Sequence, residues 1–70
     1  MKKSYEIPVY NEEVRAAVRN KQNHDSFEAS WADTHLIVIR AHTADEAVNI
    51  CRRKHPEKMG FVLGDVSEAI

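Results

Sequence analysis

Residues 35–41 read HLIVIRA, and this stretch decides the fold. Leu36, Ile37, Val38 and Ile39 are apolar in succession, without the alternation of a strand that has one solvated face. An apolar run of this kind is typical of a β-strand that is buried on both faces. The stretch therefore predicts a strand at the centre of the sheet.

An earlier strand is predicted over residues 4–10, where Tyr5, Ile7 and Val9 fall at alternate positions. Such alternation indicates a strand that buries one face. Pro8 lies inside this strand and has no N–H to donate to a neighbouring strand. We therefore expect this strand at an edge of the sheet.

Two helices are predicted from their capping residues. Asn11 is a good N-cap for a first helix that fades near residue 21. Thr43 and Glu46 fit the capping box, in which a Ser or Thr is followed three residues later by Glu or Gln. Pro56 should end this second helix, because proline cannot continue one.

With a last strand predicted over residues 60–66, the order becomes β-α-β-α-β. This order predicts a small α/β or α+β protein, one compact domain over residues 1–70, with a three-stranded sheet and both helices on one face. If the second and third strands are parallel neighbours, their connection is a right-handed crossover. Helices on one face leave the other apolar face of HLIVIRA uncovered. Either the segment at residues 23–35 or a second copy of the chain should cover it.

The segment at residues 23–35, NHDSFEASWADTH, holds the only tryptophan. Phe27 and Trp31 are four residues apart, so one helical turn would place them on the same side. Large aromatic side chains usually close the core of a short chain. Tryptophan is also a common anchor of interfaces. Phe27, Trp31 and His35 are the residues that we expect nearest to a protein partner.

The same segment raises the question of a metal site. Imidazole and carboxylate groups are zinc ligands, and Asp33 and His35 would point to the same side of a strand. Polar residues between elements are more often caps and turns, and Asp25 suits a cap of that kind. We therefore predict no metal and no cofactor. The alternative is a small metal-binding or shared-site enzyme subunit that uses His24, Asp33 and His35.

Catalytic signatures are weak throughout the chain. Cys51 falls on the apolar stripe of the second helix, where a buried thiol is inert. His55 lies one turn further on, but a nucleophilic cysteine also has to be exposed and activated. Gly60 and Gly64 do not precede a helix, so no phosphate-binding loop is indicated. We expect no catalytic residue and favour a protein that is not an enzyme.

Net charge and composition limit the classes of partner and the compartment that we expect for this chain. Ten Lys and Arg against eleven Asp and Glu give a net charge of −1, which offers no general attraction to nucleic acid or to anionic membranes. No apolar run is long enough to cross a bilayer. The single cysteine and the lack of an apolar leader predict a reducing, cytoplasmic setting.

These observations predict a small non-enzymatic accessory or regulatory protein that acts through protein–protein contact. It would work as a homodimer or on a larger partner, and an inhibitor of a larger complex belongs to this class. Oligomerisation suits a chain of 70 residues, because such a chain buries only about 60% of its unfolded surface.

Overall fold

The computed structural model describes residues 1–24 and 26–69, and within them the chain forms four strands and two helices. Short 3₁₀ turns lie at Ala29–Ala32 and Glu57–Met59. In chain order the elements are β1 (Lys3–Asn11), α1 (Glu12–Arg19), β2 (His35–Ala41), α2 (Ala44–Lys54), β3 (Phe61–Leu63) and β4 (Ser67–Glu68).

The sheet is built around β1, which makes this an α+β fold. β1 pairs antiparallel with β2 along one side, and with β3 and β4 along the other. The predicted order of strands and helices is confirmed, but the sheet gains a short fourth strand. β2 and β3 are separated by β1, so they are not the adjacent parallel pair that the crossover hypothesis required.

The predicted places of the first two strands in the sheet are wrong. β1 is central, whereas β2 pairs with β1 alone among the described residues and forms an edge. Leu36 and Val38 are each 59% exposed, while Ile39 is buried. The apolar run therefore buries one face of β2 and leaves the other face in solvent.

Pro8 is tolerated in the central strand because the N–H that proline lacks would point into the interruption between β3 and β4. The carbonyl of Pro8 accepts the N–H of Gly64 at 2.7 Å, and the N–H and C=O of a strand residue point to the same side. On that side β3 pairs with residues 9–11 and β4 with residues 5 and 6. The prediction of an edge strand failed because the neighbouring strand is interrupted beside the proline.

The core lies on one face of the sheet, here called the inner face. Phe27 and Trp31 pack against it from the same side as α2. The hypothesis that the segment at residues 23–35 covers the opposite, outer face is therefore wrong. The buried apolar residues of the core are Tyr5, Ile7, Val9, Ile39, Ala41, Ala47, Cys51 and Phe61.

One polar side chain joins three elements at the end of β1. Asn11 is fully buried, and its Oδ1 accepts the N–H of Val14 at 3.1 Å, which caps α1 as predicted. Its Nδ2 donates to the carbonyl of Met59 at 3.1 Å. Gly60 has a φ of +95°, and a Cβ there would lie 2.7 Å from Asn11 Oδ1. The side chain and the glycine together hold the start of β3 against the start of α1.

The N-cap half of the predicted capping box of α2 is confirmed. The hydroxyl of Thr43 accepts the N–H of Glu46 at 3.1 Å. The carboxylate of Glu46 reaches back to the N–H of His42, at 3.3 Å. The returning bond therefore goes to the residue before the N-cap rather than to Thr43 itself.

The end of α1 supplies a stability prediction. Lys21 has a φ of +57°, the N–H of Lys21 bonds to the carbonyl of Val18, and the N–H of Gln22 bonds to the carbonyl of Ala17. This is a Schellman motif, whose left-handed position favours glycine.

Lys21→Gly should stabilise the fold by about 0.5–1 kcal/mol in urea denaturation, because a side chain at a left-handed position costs about 1–2 kcal/mol. Arg19→Gly is the control inside the helix and should cost about 1 kcal/mol. Equal losses in both variants would contradict the assignment.

Candidate protein-contact site

The outer face of the sheet carries exposed apolar side chains. Leu36 and Val38 point outward from β2 at 59% exposure each, and Val62 points outward from β3 at 38%. Pro8 lies directly opposite Leu36 in the register, and Glu6 lies opposite Val38. An apolar patch with a charged neighbour is the usual composition of a contact surface.

Beside this patch runs the free edge, defined here as the side of β2 that faces away from β1. Ser4 and Pro8 direct their carbonyls to the β3 and β4 side of β1, where they accept the N–H groups of Ala69 and Gly64. Odd-numbered residues of β1 consequently bond to β2. The even-numbered residues of β2 therefore point their N–H and C=O groups towards the free edge. Within residues 1–24 and 26–69 no strand pairs with this edge.

The free edge lacks the features that usually protect an edge strand. Its pairing with β1 is unbroken over seven residues, so no bulge twists it away. Its sequence contains no proline and no lysine, and Arg40 is its only charged residue apart from the titratable His35. Edges of this kind are templates for another strand.

The predicted contact residues are brought together, but on the inner side. The rings of Phe27 and Trp31 both lie edge-on to Phe61, at centroid distances of 5.0 and 5.3 Å. The ring of His35 packs on Trp31 at 4.3 Å, and His35 Nε2 donates to the carbonyl of Ser30 at 2.9 Å. Core packing accounts for these contacts, although Trp31 and His35 are only partly buried.

Of the three candidate metal ligands, His24 and His35 make side-chain hydrogen bonds within the protein, and Asp33 is exposed just after the 3₁₀ turn Ala29–Ala32. His24 Nδ1 accepts the N–H of Ser26 at 3.0 Å, and His24 Nε2 lies 3.3 Å from Glu13 Oε1. Among the residues with a described position, no three His, Cys, Asp or Glu side chains converge in a way that could hold a metal ion. Asp25, which the sequence predicted to be a cap, lies outside the described residues.

Cys51 and His55 form a close pair without the features of a catalytic dyad. Cys51 Sγ lies 3.7 Å from His55 Nδ1, but this nitrogen also lies 3.0 Å from the carbonyl oxygen of Cys51. A carbonyl only accepts, so Nδ1 carries the proton and has no lone pair for the thiol. Burial raises the pKa of the Cys51 thiol, and the positive charge of Lys54 offsets part of the rise. The thiol therefore stays protonated at neutral pH.

A shallow cavity of about 210 Å³ lies beside this pair. The cavity is lined by Arg52, His55, Glu57, Phe61, Val62 and Leu63. Pockets for small ligands are usually about 300–1,000 Å³. The cavity is therefore small for a substrate site.

The apolar run of β2 predicted a strand with two apolar faces, but not that the outward face would be exposed. Leu36 and Val38 were expected to be covered, because an apolar run does not say whether its second face is buried within one chain. The signal in the sequence was that only residues 23–35 or a second copy of the chain could cover the second face of this strand.

The comparisons with known proteins give no information on the site, which is therefore interpreted from its geometry alone. No family model, no curated protein and no solved structure matches the chain. Within the described part of the chain, no helix is long and apolar enough to cross a membrane.

Proposed function

We propose that this chain is a small non-enzymatic accessory or regulatory protein, and that it acts by binding another polypeptide at the free edge and the outer face. The observation that supports this proposal is the juxtaposition of two features on β2. In the described part of the chain, no strand pairs with the backbone groups on its free edge, and its outward side chains Leu36 and Val38 are exposed. A strand added here gains main-chain hydrogen bonds and apolar contacts together.

The residues that the sequence predicts for partner contact lie on the inner side of the sheet, near the start of β2. His35 opens β2, and Trp31 packs on its ring at 4.3 Å. Both keep part of their surface in solvent and would extend the contact at the start of the strand. Phe27 would support them from the inner layer, through its contact with Phe61.

The wider class of the protein is part of the same proposal. An inhibitor of a larger complex would use such a surface, because added strands bind without any catalytic group. A cytoplasmic location is proposed from the single cysteine, Cys51, which stays a buried thiol in a reducing compartment.

A capture experiment with two variants tests the proposal. Tagged protein is used to isolate a partner from the native cell, and the purified partner is then titrated with wild type, Val38→Lys and Met59→Lys. Val38→Lys should weaken binding at least tenfold, because it puts a charge at the centre of the patch. Met59→Lys is the matched control, since Met59 is another exposed apolar residue but lies outside β2. A partner that binds all three proteins equally would contradict the proposed surface.

A further inference from the structure

We infer that the strand received by the free edge is β2 of a second copy of this chain, antiparallel and centred on Val38. The inference rests on the proposed function, since it names the partner of the same surface. It would join two four-stranded sheets into one continuous sheet with a two-fold axis beside Val38.

Backbone geometry fits this pairing. Leu36, Val38 and Arg40 direct their N–H and C=O groups to the free edge. With the two-fold axis at Val38, Leu36 faces the partner's Arg40 and Val38 faces the partner's Val38. Each residue whose N–H and C=O groups point to the free edge is thus paired with another such residue, as an antiparallel ladder requires. About six new backbone hydrogen bonds form. All seven residues of β2 take part.

The side chains match in the same register. On the inner face Ile37 comes opposite the partner's Ile39, and Ile39 comes opposite the partner's Ile37, which carries the apolar layer across the axis. On the outer face the two Val38 side chains meet. Leu36 lies against the aliphatic part of the partner's Arg40, a contact that long basic side chains make readily.

Charge also favours a second copy in this register. Arg40 has no like charge opposite it, whereas a shift that set it against the partner's Arg40 would bring two guanidinium groups together. Glu6 lies opposite Val38 on β1, one step diagonally from Arg40. The outer face of the dimer would therefore have an apolar centre with two glutamates and two arginines around it. The net charge of −1 per chain adds little repulsion between copies.

The size of the contact predicts a reversible dimer. A standard interface buries about 800 Å² on each partner, which would be about one sixth of the 5023 Å² surface of this chain. A seven-residue strand is only about 23 Å long, so edge pairing alone falls at the small end of the range. Dimerisation should consequently depend on concentration.

Sedimentation and cross-linking test the inference. Wild type and Val38→Thr should shift from monomer towards dimer across a concentration series that reaches the millimolar range, and Val38→Lys should stay monomeric. Under mild oxidation Val38→Cys should form a disulfide-linked dimer at least tenfold faster than Val62→Cys. Facing residues of an antiparallel pair have Cα atoms about 5.5 Å apart, within disulfide range. Val62→Cys is the control, because Val62 is exposed on the same outer face but lies on β3.

Each other outcome overturns a stated part of the argument. A wild type that is monomeric at every concentration overturns the inference that a second copy occupies the free edge. Equal cross-linking of the two cysteine variants also overturns it, because this result would indicate face-to-face packing. If that monomer still binds a captured partner in a Val38-dependent way, the proposed function survives and only the second copy is wrong. If the dimer forms but a captured partner ignores Val38, the inference survives and the proposed function is wrong.

Discussion

Phe61→Ala should destabilise the chain by about 3–5 kcal/mol, a large part of its total stability. Phe61 is 5% exposed and is the ring on which Phe27, Trp31 and His55 converge, at centroid distances of 5.0, 5.3 and 5.2 Å. Removing a buried phenylalanine costs about 3–5 kcal/mol. A chain of 70 residues has a total stability of about 3.5–10 kcal/mol, so the loss takes up at least about a third of it and at the lower end all of it.

Urea denaturation followed by the fluorescence of Trp31 measures this effect. Phe27→Ala is an informative comparison, because Phe27 contacts Phe61 but is only partly buried and should cost less. Val62→Ala is the control on the adjacent residue, which points to the outer face, and should change stability by no more than about 0.5 kcal/mol. A cooperative unfolding transition for Phe61→Ala at the wild-type midpoint would show that the aromatic group is not the centre of the core.

Asn11→Ala should destabilise the protein by about 2–4 kcal/mol without altering any apolar contact of the core. The substitution removes the cap of α1, worth about 0.5–2 kcal/mol. It also leaves the carbonyl of Met59 without the donor that now lies 3.1 Å away. A buried polar group without a partner costs about 1–3 kcal/mol.

The chain offers a matched control for this prediction. Asn49 is an exposed asparagine in the interior of α2. Asn49→Ala should be neutral or slightly stabilising, because alanine is the better helix former. Equal midpoints for Asn11→Ala and wild type in thermal or urea unfolding would mean that water replaces both hydrogen bonds of Asn11.

Much of the local structure could be predicted from short stretches of sequence. Thr43 and Glu46 lie three residues apart, and the helix begins where they place it. Asn11 caps α1 for the same reason. In both places the causes are hydrogen bonds between residues that are near in the chain, so the pattern contains the whole explanation.

The candidate site could be predicted only in part. The apolar run of β2 drew attention to a strand with two apolar faces, and the need for a cover on the second face followed from it. The aromatic pair Phe27 and Trp31 was expected to provide a cover, yet both rings pack on Phe61 in the inner layer. Which side of a sheet a connecting segment crosses depends on contacts between distant residues, and spacing does not encode them.

The sequence by itself determined both helices, the first two strands and their order, because capping and alternation act between near neighbours. It predicted a single last strand over residues 60–66, where the structure has β3 and a separate β4. Only the tertiary structure decided that β1 is central and β2 is the edge. Pro8 can stay in the central strand because β3 ends beside it and Gly64 donates to its carbonyl, across 56 residues of chain. HLIVIRA thereby lies at the rim of the sheet, with one face in the core and the other exposed. The physical reason is that strand order follows from long-range pairing, whereas an apolar run records only that both faces favour burial.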